Sequence, residues 1–164
     1  MSGTRKFGNW AGHGQMLKSA CSKIDRVAQQ SIGKAAVKLA SFVKVNITDG
    51  GSTGGAKFLP LAESTKKRKK STKPLLDNGD MRNSIKAVKQ NNWSYFVGIP
   101  GTTKSPEGTS IADYATAHEF GAVIKTKSGA TIIIPARPFF RPVIKKKKDA
   151  LIKEVENDFK GIFK

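Results

Sequence analysis

The stretch LKSACSKIDRVAQQSIGKAAVKLASFVKV, residues 17 to 45, decides most of the fold. Its apolar and small residues recur at steps of three and four, which is the spacing of one face of an α-helix. They are Leu17, Cys21, Ile24, Val27, Ala28, Ser31, Ala35, Leu39 and Phe42. The pattern predicts one long amphipathic helix in which Cys21 is a buried structural thiol. Gly33 indicates a close helix contact or a bend, because a helical glycine costs up to about 1 kcal/mol relative to alanine.

The segments on either side of this helix lack any period. Residues 1 to 15 are rich in glycine, and we interpret them as a flexible arm. Residues 48 to 74 begin with TDGGSTGGAK and continue into a basic run, which is typical of a mobile Gly/Lys-rich loop. With 164 residues, the chain is long enough for one domain with a hydrophobic core, residues 1 to 164, and too short for two domains of ordinary size.

Further along, strand-like and helix-like patterns alternate. In chain order they are a hairpin over residues 84–89 and 93–99, a short helix ending at Phe120, a second hairpin over residues 122–125 and 130–134, and an amphipathic helix over residues 143–163. Gly121 stands where a helix needs a residue with positive φ to end. We therefore expect an α+β fold in which an antiparallel β-sheet of two hairpins is packed by a long N-terminal helix, a short central helix and a C-terminal helix.

The charge is strongly unbalanced. Thirty Lys and Arg against twelve Asp and Glu give a formal net charge of +18. Two dense runs carry much of it: Lys66, Lys67, Arg68, Lys69 and Lys70, and Lys145, Lys146, Lys147 and Lys148. One interpretation is a solvated loop and a solvated helix face. The other is contact with a polyanion such as a DNA or RNA backbone, which would be independent of base sequence and sensitive to salt.

No pattern in the sequence indicates catalysis. His118 and Glu119 are neighbours, so on a helix their side chains diverge by roughly 100° and cannot grip one metal ion. A Gly-x-Ser-x-Gly elbow is absent, and Cys21 has no local base. We predict no catalytic residue, metal or cofactor, and a structural or interface role for His118. No apolar run approaches the roughly 18 residues that span a bilayer, and the N-terminus lacks the apolar core of a signal peptide, so we expect a soluble protein made in a reducing cytoplasm.

Three segments resemble a known family. They are LAESTKKRKK…KPLLDNGDMRNSI (residues 61–85), YATAHEFGAVI (114–124) and IIPARPFFRPVI (133–144), and together they resemble the tailed-phage virion-morphogenesis and tail-completion, or neck, proteins. The matching positions are Leu76, Gly79, Met81, Ser84, Ile85, Tyr114, Ala115, Glu119, Phe120, Gly121, Pro135, Arg137, Pro138, Phe139 and Pro142. Met81 stands where the family usually has leucine. The first 57 residues and the lysine-rich C-terminal helix lie outside the resemblance.

The resemblance implies a non-enzymatic structural subunit of a virion, assembled in the host cytoplasm. Such proteins form rings, commonly hexameric, at the neck or the head-proximal end of the tail, where they join tail to head and surround the DNA channel. The implied partners are copies of the same chain, connector, tail terminator or tail tube proteins, and the backbone of packaged DNA, with no membrane.

A ring contact joins two different patches of each subunit. Our candidates for these contacts are Glu119, Phe120, Arg137, Phe139 and Phe140. The prolines on either side of Arg137 restrict its backbone, so its guanidinium could be aimed at a carboxylate, and Glu119 is the first partner to test. The alternative is that Arg137 is merely exposed. The alternative function, favoured by charge alone, is a basic nucleic-acid-binding protein without sequence preference.

Overall fold

The α+β class is confirmed by the structure, a computed structural model that describes residues 8–69, 72–126 and 129–163. The helices are α1 (Trp10–Thr48), α2 (Glu63–Arg68), α3 (Asp80–Asn83), α4 (Ile111–Phe120) and α5 (Arg141–Lys160), followed by a 3₁₀ turn, Gly161–Phe163. The strands are β1 (Lys86–Asn91), β2 (Ser94–Gly98), β3 (Ala122–Lys125) and β4 (Thr131–Ile134).

Helix α1 begins earlier than the apolar period indicates. The side chain of Asn9 accepts a hydrogen bond from the backbone N–H of Gly12 at 3.0 Å, which satisfies one of the free donors at the helix start. Residues 10 to 15, which we expected in the arm, are therefore helical. The rest of that arm, residues 1 to 7, lies outside the described residues.

The expected loop over residues 48 to 74 is partly structured. Its first turn is closed by hydrogen bonds from the backbone N–H groups of Gly51 and Thr53 to the Asp49 carboxylate, at 3.1 and 2.9 Å. The amide oxygen of Asn46 accepts from the N–H of Gly54 at 2.6 Å. Helix α2 then begins just before the basic run and ends within it. The composition predicted a loop because glycines and lysines dominate it, but local side-chain acceptors and the first-turn Glu63 favour turns and a short helix.

The core lies where α1, α3, α4 and α5 meet. Its buried residues are Ala40, Val43, Ile47, Leu75, Met81, Ile85, Ile111, Ala115, Phe139 and Val143. Helix α5 runs antiparallel to α1, as shown by contacts that link the end of α1 to the start of α5 and its middle to the end of α5. The buried side-chain amide of Asn46 donates to the carbonyl of Phe139 at 2.9 Å, and the Lys38 ammonium contacts the Glu154 carboxylate at 2.6 Å.

The two hairpins form separate two-stranded sheets rather than one sheet. Strands β1 and β2 pair antiparallel from Lys86↔Gly98 to Asn91↔Ser94 and pack on α1. A Cβ atom at Gly33 would stand 2.9 Å from the Tyr95 hydroxyl, so the glycine serves a close contact with this hairpin. Helix α4 and the loop before it lie between the two hairpins in the chain, and the second hairpin does not pair with the first.

The second hairpin leaves α4 through a sharp turn. Helix α4 ends at Phe120, and Gly121 has φ 81° and ψ 158°, a backbone conformation that side chains oppose. A Cβ atom there would also come within 3.2 Å of the backbone of Ile134 and Ala136. Strands β3 and β4 follow, paired from Ala122↔Ile134 to Lys125↔Thr131.

In the part of the chain that the structure describes, none of the helices combines the length and the apolar character needed to cross a membrane.

Candidate subunit-contact and polyanion surfaces

Glu119 joins the end of α4 to the beginning of α5. Its buried carboxylate accepts hydrogen bonds from the backbone N–H groups of Phe139 (2.7 Å), Phe140 (3.0 Å) and Arg141 (3.1 Å). These groups lie at the N-terminal end of α5, where no intrahelical acceptor exists and where the helix dipole favours a negative charge. The Arg141 Nε atom also donates to this carboxylate at 3.1 Å. Glu119 therefore caps a helix that begins 22 residues later in the chain.

Arg137 neither pairs with Glu119 nor lies exposed, so both alternatives from the sequence are wrong. The buried Arg137 guanidinium donates instead to the backbone carbonyls of Leu59 (2.7 Å) and Pro60 (2.8 Å). The Arg137 N–H donates to the His118 carbonyl at 2.7 Å, which holds the residue beside α4 while its side chain reaches the 59–60 segment. Arg137 thus ties the loop before α2 to the segment before α5, and Arg141 takes its place at Glu119.

His118 packs into a partly buried site next to Tyr114. The two rings meet edge to face with centroids 4.5 Å apart. Burial, together with the positive charges of Arg137 and Lys69, lowers the pKa of His118 to about 4. Its Nδ1 atom is buried and has no hydrogen-bond partner among the described residues. A neutral imidazole in aromatic packing agrees with the structural role that the sequence indicated.

Phe120 is the most accessible of the five subunit-contact candidates. Its side chain is 61% exposed, and the Arg141 guanidinium lies 4.5 Å from its ring centroid. Glu119, Arg137 and Phe139 are buried against their own chain, and Phe140 is half-buried. Those four residues form a junction within the chain, which leaves Phe120 as the candidate whose side chain is accessible.

Four apolar residues of the second hairpin, beside Phe120, were not among the sequence candidates. Val123 and Ile133 are opposite each other on one face and are 67% and 72% exposed. Ile124 and Ile132 are opposite each other on the other face and are also exposed. The hairpin strands contact mainly each other. The sequence does contain a signal for this surface. The apolar residues in AVIK and TIII are consecutive rather than alternating, so both faces of each strand are apolar.

The first basic run is less free than its composition indicates. The Lys66 ammonium contacts the Glu63 carboxylate at 2.6 Å. Lys69 is half-buried and donates to the Leu76 carbonyl at 3.2 Å, and burial lowers its pKa. Lys67 and Arg68 are exposed, and Lys70 lies outside the described residues.

The second basic run forms a more open cationic surface. Lys145, Lys146 and Lys148 are exposed on α5 and make no ion pair with any described residue. Lys147 is half-buried, with its ammonium 4.9 Å from the ring centroid of Phe42. The first half of α5 therefore presents three ammonium groups that could contact a phosphate backbone.

Cys21 is exposed, so the expectation of a buried thiol is wrong. The apolar stripe of α1 continues through Cys21, but no other element of the described residues covers it there. Among residues 8–69, 72–126 and 129–163, there is no group of three or more His, Cys, Asp or Glu side chains that could hold a metal ion.

Comparisons of the chain with protein-family models, with curated proteins and with solved structures found no match in any of the three.

Proposed function

We propose that this protein is a structural, non-catalytic subunit of a tailed-bacteriophage virion. It forms a ring, commonly hexameric in the family that it resembles, at the neck or the head-proximal end of the tail, and the ring surrounds the DNA channel. Its neighbours there are connector, tail terminator or tail tube proteins. The observation that supports this most is the hairpin β3–β4, whose two faces are both apolar and both exposed.

A hairpin of this composition is incomplete in an isolated chain. Two strands alone are marginally stable in water, and an apolar patch on the surface of a soluble protein marks an interaction site. Burying a side chain such as Ile133 against a neighbour contributes about 1.5–3 kcal/mol. Because one hairpin has two apolar faces, it fits between two partner surfaces, as a subunit in a ring does.

The junction at Glu119 gives this hairpin a fixed base. Gly121 follows Glu119 directly, and the chain that leaves β4 reaches Phe139, which donates to the same carboxylate. Both ends of the hairpin are therefore tied to the start of α5. A neighbouring subunit that binds the hairpin would therefore be held at a defined angle to helices α1 and α5.

The test combines light scattering of the pure protein with a virus experiment. We expect the full chain to form a closed oligomer on size exclusion and the double variant Val123→Ser, Ile133→Ser to stay folded and fail to form that closed oligomer. Thr131→Ser, on the same hairpin, is the matched control and should assemble normally. Deleting the coding sequence from the virus that carries it should leave filled heads and separate tails in electron micrographs. Virions that still join head to tail would refute the proposal.

The second candidate is a basic nucleic-acid-binding protein, favoured by the unpaired ammonium groups of Lys145, Lys146 and Lys148. Binding of a random-sequence duplex should then weaken steeply with salt. The triple replacement of these lysines by glutamine should reduce the salt slope by about three, because each phosphate contact contributes close to one unit. A monomer with this behaviour supports the second candidate, and an assembled ring indifferent to DNA rejects it.

A further inference from the structure

The apolar stripe of α1 extends well beyond the helix that covers it. Helix α1 has 39 residues and is about 58 Å long, whereas α5 has 20 residues and is about 30 Å long. Ala28 is the first buried residue of α1. The same stripe continues backwards through Ile24, Cys21 and Leu17 to Trp10, and Leu17 is 67% exposed. We call residues 10–24 the helix extension.

A matching apolar groove lies beside the covered half of α1. It has a volume of about 350 Å³ and is lined by Ala35, Leu151, Ile152, Val155, Glu156 and Phe159. Apart from Glu156, all the lining side chains are apolar. We call it the α1–α5 groove.

The groove and the helix extension carry opposite charge. Residues 149–158 of α5 contain four acids and one lysine, which is unusual in a chain of net charge +18. Two of these acids are engaged with α1, since Glu154 contacts Lys38, and Asp158 contacts Ser31 and Lys34. Glu156 makes no ion pair with any described residue. The helix extension carries Lys18 and Lys23, which likewise lack an ion pair within the described chain.

We propose that the helix extension of one copy lies in the α1–α5 groove of a second copy of this chain. Leu17 and Cys21 then pack against Ile152 and Phe159, and the lysines of the extension approach Glu156. The extension cannot enter the groove of its own chain, because it continues along the axis of the helix that lines that groove. The occupant must therefore come from another molecule, and this inference rests on the self-association in the proposed function.

A disulfide test uses the exposed thiol of Cys21. Glu154 lies level with Lys38, so Ile152 is about 17 residues or more along α1 from Cys21, roughly 25 Å away within one chain. A disulfide requires Cα atoms within about 7 Å. Under mild oxidation, the variant Ile152→Cys should give linked dimers and a peptide that joins Cys21 to the cysteine introduced at position 152. Lys153→Cys, one residue further around the helix, is the matched control and should give little of that linkage.

A second test measures association without new cysteines. Leu17→Asp should raise the dissociation constant at least tenfold in sedimentation experiments, because it places a charge against an apolar groove. Val37→Asp is the control, since Val37 is an exposed apolar residue of α1 outside both the extension and the groove. Lys18→Glu should weaken association, and combining it with Glu156→Lys should restore most of the loss.

The two proposals fail in different ways. If Leu17→Asp associates like the unaltered chain and no linkage between positions 21 and 152 forms, the contact between extension and groove is overturned and the ring remains. If virions join head to tail without this protein, the proposed function is overturned, while the linkage and the charge reversal still measure the contact between copies.

Discussion

The junction around Glu119 and the hairpin β3–β4 are adjacent in the chain and opposite in their surroundings. Ile47, in the core beneath the junction, is 0% exposed, while Ile133 in the hairpin is 72% exposed. Both are isoleucines in regular structure. The junction lies among α1, α4 and α5, and its Glu119 carboxylate accepts three backbone donors, whereas the described strands of the hairpin contact mainly each other. The comparison teaches that the same residue type is buried where helices cover it and exposed where no described element does.

The largest expected effect is the difference in unfolding free energy between an isoleucine-to-alanine substitution in the core and the same substitution in the hairpin. Ile47→Ala should lower the free energy of unfolding by about 3 kcal/mol, because it leaves a cavity in a packed core. Ile133→Ala should change it by less than about 0.5 kcal/mol in the monomer, because the side chain is already in water. Urea unfolding at low protein concentration checks both. Equal losses would show that the hairpin is part of the monomer core.

The next effect concerns the junction itself. Glu119→Gln should lower the free energy of unfolding by roughly 2–3 kcal/mol, since the amide replaces a charged acceptor of several hydrogen bonds and presents a donor to N–H groups. Asp113→Asn, an exposed acid on the same helix α4, is the matched control and should cost less than about 0.5 kcal/mol. An equally small loss at both positions would contradict the capping role of Glu119.

The smallest effect is a pH dependence from His118. Because its pKa is lowered to about 4 in the folded chain and is near 6.5 when unfolded, the unfolded state binds more protons between these values. The stability contributed by the neutral ring is therefore complete above about pH 6.5 and is lost as the pH falls towards 4. His118→Phe, which keeps an aromatic ring beside Tyr114, removes this titration.

Urea unfolding of both proteins at pH 7.5 and pH 4.5 measures the contribution. Between these two values the unaltered chain should lose roughly 1–2 kcal/mol more than His118→Phe, after allowance for solvent screening of a partly exposed group. An equal loss of unfolding free energy in the two proteins would show that His118 titrates alike in the folded and unfolded states.

Much of the secondary structure followed from local patterns. The stop at Gly121, both hairpins and the C-terminal helix lie close to their expected positions, because turns, glycine conformations and apolar periods depend on neighbouring residues. The start of α1 was missed because the Asn9 cap operates ahead of the apolar period. The short helix α2 was missed because the basic composition of its segment is typical of loops.

The surroundings of the contact candidates were predicted less well than the elements. Glu119, Arg137 and Phe139 connect parts of the same chain, whereas the exposed apolar residues are Phe120, which the sequence indicated, and Val123 and Ile133, which it did not. Sequence spacing indicates which residues share a face, and it does not indicate whether another element covers that face.

By itself, the sequence determined the periods, the turns, the α+β class and the concentration of positive charge, because each depends on residues close together in the chain. Only the tertiary structure decided that Glu119 caps α5, that Arg137 binds the carbonyls of Leu59 and Pro60, and that Cys21 is exposed. Those outcomes depend on contacts between residues that are 20 to 78 positions apart, or on where α5 ends along α1. A long-range contact is set by how the elements pack, and the same local pattern is compatible with several such packings.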